Sequence, residues 1–455
     1  MNKVLLICFF ALLAEVSFSQ EKPPYIPETD PTVISKLDQW KDMKFGLLMH
    51  WGTYSQWSIV ESWSLCSEDE PWCTRKIKNY MDYCRAYTNL KTTFNPVKFD
   101  PDKWAAAAAN AGMKYVVFTT KHHDGFCMFD TKQTDYKITD PACPFHTNPK
   151  ANVAKEVFDA FRKQGMWAGA YFSKPDWHSN DYWAEEWATP NRNVNYDIKK
   201  YPERWKRFCD YTYKQIEELT SDYGRIDILW LDGGWVSPTN NQDINMPAIA
   251  QMARKNQPGM IIVDREVPGK FENYRTPEQQ IPEKPLDYPW ETCMTMATSW
   301  SFVSGDTYKP ASQLIHMLID IVAKGGNFLL NIGPSPEGEF ADTAYARLEE
   351  IGSWMKINSE AIYKTHPVKP YKSGKTCFTS LPDGTIYLLF LADEKETMIP
   401  AKIDVKGFQP AKGAKIQMLG RIGNLKWEIL GNDLSIRIPS GKPPCKYAWV
   451  FRVSK

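Results

Sequence analysis

Two hydrophobic periodicities alternate along the first three quarters of the chain. Short runs of branched and aromatic apolar residues predict buried strands at 45–50, 115–120, 167–172, 226–231, 261–263, 290–296 and 327–332. Between them, apolar residues recur every three or four positions and predict helices at 33–41, 101–111, 153–163, 204–222, 246–255, 311–323 and 343–364. Several of these helices are followed by glycine, a common helix-terminating residue. Strands that alternate with helices in this way pair in parallel, so the sequence predicts an α/β fold.

The number of predicted strands favours a closed barrel over an open sheet. Six runs are clear, the run at 290–296 is weaker, and an eighth strand cannot be placed, which suits an irregular (β/α)8 TIM-like barrel. No glycine-rich phosphate-binding fingerprint follows the first strand, which counts against a dinucleotide-binding sheet. The proline-rich stretch 267–288 is predicted to loop across the barrel mouth.

A change of period marks a second domain near the C-terminus. From residue 372 apolar and polar residues alternate, and strands are predicted at 385–391, 425–430 and 434–438, with turns at 382–384 and 431–432. The predicted domains are a catalytic barrel at 20–365 and an antiparallel all-β domain at 366–455.

The N-terminus has the pattern of a secretory signal peptide. A lysine near the start, the apolar run 4–16 and the small-residue pattern 17–19 predict a signal peptide at 1–19, cleaved near Ser19 or Gln20. This run is too short to span a bilayer, and no later run reaches about 18 apolar residues. We therefore expect an exported protein with no membrane span, periplasmic or extracellular.

Charge and composition narrow the partners. The net charge is +1, from 55 basic and 54 acidic residues, so no long-range field favours nucleic acid. The 18 tryptophans, 22 tyrosines and 22 phenylalanines are a high aromatic content; most should be core, but indole rings also suit the apolar faces of sugars. The scattered cysteines form neither a disulfide framework nor a zinc-binding pattern, and no cofactor is predicted.

Chemically capable side chains gather where the predicted strands end. The segments are His50-Trp51-Gly52, Lys121-His122-His123-Asp124-Gly125, Trp230-Leu231-Asp232, Asp264-Arg265-Glu266 and Trp290-Glu291. In a parallel barrel the carboxyl ends of all strands meet on one face, where barrel enzymes keep their active sites. Asp232 ends an apolar run, so its carboxylate must be held by hydrogen bonds or lie in a cleft. Trp230 shares its face because strand side chains alternate with period 2.

Histidines at the same face allow a second chemistry. His50, His122 and His123 are also the residue types that bind metal in barrel hydrolases. Adjacent histidines on a strand point to opposite sides unless the strand has just ended, which makes a metal site the weaker interpretation.

Five motifs, in order along residues 40–365, resemble the α-L-fucosidases of glycoside hydrolase family 29. They are FGLLMHWG at 45–52, FDPDKW at 99–104, KYVVFTTKHHDGF at 114–126, WLDGG at 230–234 and NFLLNIGP at 327–334. The resemblance implies an irregular (β/α)8 barrel, a C-terminal β-sandwich, and hydrolysis of terminal α-L-fucose with retention of configuration. The implied partner is a fucosylated oligosaccharide or glycoconjugate.

The resemblance also implies residue roles. Asp232 matches the family's nucleophile, and Arg265 or a histidine is expected to keep it ionised. Retaining hydrolysis needs a second carboxyl group as acid and base. Glu291 is the predicted acid/base, because it follows an aromatic residue at an expected strand end; its rivals are Glu266, Glu272 and Glu278.

The predicted substrate-binding residues are His50, Trp51, Glu61, Trp63, His122, His123, Tyr171, Trp230 and Arg265. The histidines and Arg265 resemble the family's hydrogen-bond donors to fucose, and Trp230 resembles an aromatic wall near the sugar's methyl group. Glu61 and Trp63 resemble a displaced form of the family's Glu-Trp pair. Two alternatives remain open: a fucose-binding protein on an inactive scaffold, and a metal-dependent barrel hydrolase.

Overall fold

The computed structural model describes residues 23–66, 73, 75–184 and 191–454. The predicted signal peptide at 1–19 lies outside these residues. Within the described part of the chain, no helix is both long enough and apolar enough to cross a bilayer.

Seven parallel strands form one curled sheet at the centre of the first domain. They are β1 (Phe45–Met49), β2 (Tyr115–Lys121), β3 (Trp167–Ser173), β4 (Ile228–Asp232), β5 (Ile261–Asp264), β6 (Glu291–Thr295) and β7 (Asn327–Asn331). Their order is β5-β4-β3-β2-β1-β7-β6. All seven strands predicted from the apolar runs are present, with bounds that differ by a few residues.

Helices surround this sheet, and most of them cover its outer face. They are α1 (Pro31–Met43), α2 (Tyr80–Thr88), α3 (Pro101–Asn110), α4 (Val153–Lys163), α5 (Pro202–Ser221), α6 (Met246–Asn256), α7 (Ala311–Ala323) and α8 (Asp342–Asn358). Asp100 begins α3 as its N-cap, since its carboxylate accepts a hydrogen bond from the amide of Lys103. The predicted alternation of strand and helix is therefore confirmed.

An irregular segment occupies the eighth position of the barrel, between β5 and β6. Single β-bridges join Glu272 to Val263 of β5, and Arg275 and Glu278 to Trp290 and Cys293 on the β6 side. The prediction that 267–288 loops across the barrel mouth was wrong for this part, because residues 272–278 supply backbone hydrogen bonds to both edge strands. The strand could not be recognised because prolines interrupt its apolar pattern.

Alternate side chains of the strands fill the barrel interior. Leu48, Val117, Trp230 and Leu329 belong to this inner cluster, whereas their chain neighbours pack against the helices. At the amino ends of the strands, Trp40 of α1 stacks on Tyr274, with ring centroids 4.0 Å apart. The barrel is thus closed at its amino end.

Two antiparallel sheets form the C-terminal domain. The first contains β8 (His366–Ser373), β9 (Thr376–Ser380), β10 (Ile386–Leu391), β12 (Lys415–Met418) and β15 (Ala448–Ser454); the second contains β11 (Lys402–Val405), β13 (Lys426–Leu430) and β14 (Asp433–Arg437). Apolar side chains of the two sheets share a core. The first sheet also packs on the barrel helices, where the Trp354 indole of α8 donates to the carbonyl of Ala448.

Candidate active site

Asp232 lies at the carboxyl end of β4, a strand that is paired on both sides. Its Oδ1 accepts a hydrogen bond from the amide of Gly233 at 2.9 Å. Gly233 has a φ of +88°, and a Cβ at this position would lie 2.4 Å from Pro175 Cδ. Only glycine fits this turn, so the residue after the acid is fixed by the backbone that presents the carboxylate.

Two further donors hold the Asp232 carboxylate. The hydroxyl of Tyr171 on β3 donates to Oδ2 at 2.6 Å, and a terminal nitrogen of Arg265 donates to Oδ1 at 2.9 Å. Burial raises the pKa of Asp232, but the Arg265 guanidinium and the Tyr171 hydroxyl lower it more, so this pKa lies well below its usual value. These contacts favour the ionised form of the Asp232 carboxyl group.

Three buried histidines surround the same cavity. Nδ1 of His50 lies 2.8 Å from Asn331 Oδ1, Nδ1 of His122 lies 2.6 Å from Ser62 Oγ, and Nε2 of His123 lies 3.9 Å from Asp232. Burial lowers the pKa of all three, that of His123 to about 3. They are neutral imidazoles at neutral pH and offer polar contacts without adding positive charge.

Both histidines of the KHHDGF motif reach the cavity because β2 ends at Lys121, immediately before them. The chain then turns, and the alternation that would separate neighbouring side chains no longer applies. The carbonyl of His123 accepts a hydrogen bond from the amide of Trp177, which fixes this turn against the loop after β3.

Glu61 and Trp63 also line the cavity. Glu61 is 1% exposed, and its Oε1 accepts a hydrogen bond from the amide of Ser301 at 2.9 Å. Burial raises the pKa of Glu61 to about 8, so a proton is available on this carboxyl group at neutral pH. The ring of Trp63 lies edge-on to His123, with ring centroids 5.2 Å apart.

The cavity has a volume of about 240 Å³, which suits a single sugar ring. Its lining residues are Leu48, His50, Glu61, Trp63, His122, His123, Arg192, Trp230, Asp232, Trp235, Arg265, Glu266, Glu278, Cys293 and Trp300. Tyr171 lies behind Asp232 and reaches it through its hydroxyl. Eight of the nine predicted substrate-binding residues are therefore close to Asp232.

Trp51 is the exception. Its indole is 1% exposed and packs among Phe94, Phe99 and Trp104, and its NH donates to the carbonyl of Ser335. The structure places this side chain in the layer between strands and helices, outside the cavity. The expectation that Trp51 contacts substrate is not supported by this position, which the 3-10 turn Thr53–Trp57 directly after it helps to set.

Glu291 also lies away from the cavity. It begins β6, where it pairs with Asn327, the first residue of β7, so it belongs to the amino ends of the strands. The expectation that it follows a strand end was wrong: it starts the strand, at the opposite end of the barrel from Asp232. The pattern misled because Thr292, Cys293 and Thr295 give this run weak apolar boundaries.

Glu278 is the rival acid that the fold brings to the site. It lies on the irregular segment between β5 and β6, and its Oε2 accepts a hydrogen bond from the second terminal nitrogen of Arg265. Glu266 is exposed at the rim, and Glu272 pairs with Arg275 at 3.2 Å outside the cavity. Glu266 also lines the cavity, but its carboxylate lies 3.8 Å from the Arg265 guanidinium, beyond hydrogen-bond distance. Of the four acids weighed from the sequence, Glu278 is the one that both lines the cavity and accepts a hydrogen bond from Arg265, the partner of Asp232.

Sequence reasoning missed part of the wall, namely Arg192, Trp235, Cys293 and Trp300. Trp235 lies three residues after Asp232 and could have been found from that position. Arg192 and Trp300 lie on irregular segments, where neither periodicity nor a motif indicates their direction.

His122, His123 and Asp232 bring donor atoms within 4.8 Å of one another, a spacing that a metal ion can bridge. However, Asp232 is already neutralised by the Arg265 guanidinium, and His122 is hydrogen-bonded to Ser62. A cation here would face the positive charge of Arg265, so the electrostatics favour an anionic nucleophile over a metal ligand.

The chain is similar to known proteins over most of its length. The family model "Alpha-L-fucosidase" matches residues 12–360. The tissue α-L-fucosidase of Mus musculus is 27% identical over 444 residues, covering 92% of this chain and 92% of that protein.

Solved structures share the architecture. The α-L-fucosidase isoenzyme 1 from Paenibacillus thiaminolyticus superposes with a TM-score of 0.77 at 28% identity, covering 93% of this chain and 99% of that one. A family 29 α-L-fucosidase from Bacteroides thetaiotaomicron, solved as a trapped covalent intermediate with 2-fluoro-fucosyl fluoride, gives 0.76 at 23% identity and covers 95% and 98%. These likenesses confirm the predicted irregular barrel followed by a β-sandwich.

The family model spans most of the chain, and its range includes all the residues that line the cavity around Asp232. The resemblance read from the sequence is confirmed, and with it the reaction class, hydrolysis of α-L-fucosides. The chain belongs to the α-L-fucosidase family of glycoside hydrolases.

Proposed function

We propose that this chain is an exported, retaining exo-α-L-fucosidase in which Asp232 is the nucleophile and Glu278 the acid/base. Its substrate is the terminal α-L-fucose of an oligosaccharide or glycoconjugate. The observation that carries the assignment is that the two terminal nitrogens of one guanidinium, that of Arg265, bind the two carboxyl groups. Retaining glycosidases need carboxyl groups only about 5 to 5.5 Å apart, and a shared guanidinium favours such a short separation.

In the first step Asp232 attacks the anomeric carbon and forms a fucosyl ester. Its low pKa keeps it ionised for this attack. The glycosidic oxygen leaves with its bonding electrons and takes a proton from Glu278, which acts as the general acid. Charge on the nucleophile falls as the bond forms, and the Arg265 and Tyr171 donors remain in place to stabilise it again when the ester breaks.

In the second step water replaces the leaving group. Glu278, now a carboxylate, removes a proton from the water, whose oxygen attacks the anomeric carbon and releases Asp232. The Glu278 side chain is 40% exposed, so water reaches it from the rim of the cavity. Two inversions at the same carbon give net retention.

Fucose is held by polar and apolar walls of the cavity. The neutral imidazoles of His50, His122 and His123 and the protonated carboxyl of Glu61 suit its hydroxyl groups. Trp230 supplies the apolar surface for its methyl group. Fucose lacks the C6 hydroxyl of galactose, and one such group allows discrimination of roughly 1 to 3 kcal/mol.

Asp232→Ala and Glu278→Ala test these roles with an aryl α-L-fucoside. We expect Asp232→Ala to lower kcat by at least about 10⁴-fold, and azide to restore turnover to Glu278→Ala by giving a fucosyl azide of defined anomeric configuration. Glu283→Ala, which removes an exposed acid of the same connection, is the matched control and should behave like wild type. If Asp232→Ala turns over substrate like wild type, Asp232 is not the nucleophile. If the wild-type protein binds fucose without hydrolysing the fucoside, the inactive-scaffold alternative is favoured. If a chelator inhibits the wild-type protein, the metal-dependent hydrolase is favoured.

Export rests on the N-terminal pattern at 1–19. Fractionation of cells that express the full chain should place fucosidase activity in the periplasm or medium. Deletion of 2–19 should retain the activity in the cytoplasm, and equal export of both forms would contradict the signal assignment.

A further inference from the structure

A second buried carboxyl group, that of Glu291, lies at the amino end of the barrel and takes no part in the reaction above. It is 0% exposed. The Tyr115 hydroxyl donates to its Oε2 at 2.5 Å, and the Trp230 indole NH donates to its Oε1 at 3.3 Å. Trp40 and Tyr274 close the barrel below it, so Glu291 reaches neither substrate nor bulk water.

The indole that Glu291 binds is the floor of the active site. Tyr171 stacks on Trp230 with ring centroids 5.2 Å apart and an interplanar angle of 23°. The Arg265 guanidinium lies 5.2 Å from the centre of the Trp230 ring. Tyr171 and Arg265 are the two side chains that bind the Asp232 carboxylate. One indole therefore contacts both groups that hold the nucleophile, and its NH is fixed from below.

We propose that Glu291 is a positioning residue that fixes the plane of Trp230 and thereby the geometry with which Tyr171 and Arg265 bind Asp232. The proposal rests on the nucleophile role of Asp232. The stack and the cation–π contact both depend on the orientation of the indole. Rotation of Trp230 about its side-chain bonds displaces both donors together, because they pack against the same ring system.

A carboxyl group suits this task better than an amide. The groups that face Glu291 from β2 and β4 are hydrogen-bond donors, and each oxygen of its carboxyl group accepts one of these hydrogen bonds. A glutamine keeps one acceptor and turns an NH2 group toward a second donor. Glu291→Gln therefore preserves size but breaks one of the two contacts.

The pH profile of kcat/KM separates this role from a merely structural one. Glu291→Gln should lower kcat/KM for an aryl fucoside by roughly 10- to 100-fold, since small misplacements at a reacting centre have effects of this size. Weaker contact with Arg265 also raises the pKa of Asp232, so the variant should lose activity on acidification at a pH where circular dichroism shows it still folded. Trp230→Phe keeps the Tyr115 contact, provides a second route if Glu291→Gln folds poorly, and should move the acid limb in the same direction.

A double variant tests whether Glu291 acts on Asp232 through Trp230. The double variant Glu291→Gln/Trp230→Phe should show no further shift beyond Trp230→Phe alone, because both changes break the same contact. Glu218→Gln is the matched control: this buried acid binds Thr131 and Gln133 near the surface of α5, and its loss should lower stability without moving the acid limb. An unchanged acid limb in both single variants overturns the proposal.

Rescue by azide distinguishes an acid/base role of Glu291 from a positioning role. If azide restores turnover to Glu291→Ala, Glu291 acts as the acid/base and the positioning role is wrong. A fully active Asp232→Ala variant instead removes the proposed function itself, so the two failures are distinguishable.

Discussion

Asp232, which is largely buried, and Glu291, which is fully buried, are two carboxyl groups joined through Trp230, yet their pKa values are shifted in opposite directions. At the carboxyl end, a guanidinium adjoins Asp232 and its pKa lies well below the usual value. At the amino end the neighbours of Glu291 are uncharged rings, and burial raises its pKa to about 7, against the opposing influence of Tyr115, Tyr274 and Trp230. Burial is common to both groups, so the partner's charge makes the difference.

Under the proposed roles, this contrast accounts for a reactive carboxyl group at one end of the barrel and a structural one at the other. A nucleophile must be ionised before substrate arrives, which requires a cation close by. A carboxyl group among neutral donors carries no such requirement and can hold aromatic side chains in place. The two ends of the same fold thus use one residue type for two purposes.

Removing the positive charge of Arg265 should abolish the difference between Asp232 and Glu291 and give the largest loss of activity. We expect Arg265→Met to lower kcat/KM about 1,000-fold, because it leaves a buried charge without its partner, at a cost of about 3 to 5 kcal/mol. Arg275→Met, which removes a buried arginine paired with Glu272 outside the cavity, should affect stability but not kcat. A loss below tenfold for Arg265→Met would show that Asp232 does not depend on this partner.

Removing the uncharged hydrogen-bond donor of Asp232, the Tyr171 hydroxyl, should reduce the difference between Asp232 and Glu291 without abolishing it. Tyr171→Phe deletes the hydroxyl that binds Asp232 Oδ2, and a hydrogen bond to a charged group is worth about 1.5 to 3 kcal/mol. We expect kcat/KM to fall about 10- to 100-fold. Tyr211→Phe is the control, since its hydroxyl binds Asp176 instead; equal losses in both variants would contradict a specific effect on the nucleophile.

Substitutions of a tryptophan inside the cavity and of one outside it should differ in their effect on KM, by a smaller factor. Trp63→Phe should raise KM about 2- to 10-fold, the worth of one aromatic contact, with little change in stability. Trp51→Phe should lower stability with little change in KM, because the Trp51 indole packs between strands and helices. If Trp51→Phe raises KM as Trp63→Phe does, the burial of Trp51 does not describe its role.

The smallest effects should appear in stability as a function of pH. The pKa of Glu291 is raised from 4.5 to about 7, so its unfolded form releases a proton that the folded form keeps. Its contribution is therefore fully present below about pH 4.5 and is lost as the pH rises to 7. Asp232 has the opposite sign: its contribution is present above pH 3.8 and is lost on further acidification.

Urea unfolding at several pH values between 4.5 and 7 checks this assignment. The free energy of unfolding should fall less steeply with pH in Glu291→Gln than in wild type. Asp232→Asn should leave this interval unchanged and alter only the acid side. Parallel wild-type and Glu291→Gln curves would contradict the raised pKa.

The sequence predicts features that depend on local pattern. Seven strands follow from branched apolar runs, and the convergence of His50, His122, Asp232 and Arg265 follows from their places after those runs. Trp51 shows the limit, since a tight turn after β1 sets its direction and a turn's geometry is not a periodic signal. Glu291 shows another, because a run with threonine and cysteine does not reveal which of its ends faces substrate.

Glu278 could be named from the sequence only as one of four candidate acids. Its place depends on a backbone segment that pairs with the strands before and after it, β5 and β6, through single bridges instead of a continuous ladder. Such pairing is a tertiary event, and prolines hide it from propensity.

At the eighth position of the barrel, residues 272–278 are joined to their neighbours only by single β-bridges, and we call this segment the seam. Asp232 lies on a strand registered on both sides, so a change in chain length there would shift its neighbours. Glu278 lies on the seam, where extra residues before or after the single bridges cost little more than loop-closure entropy, about 0.6 kcal/mol for each doubling of length. Insertions at the seam can therefore reshape the entrance of the cavity while Asp232 keeps its place.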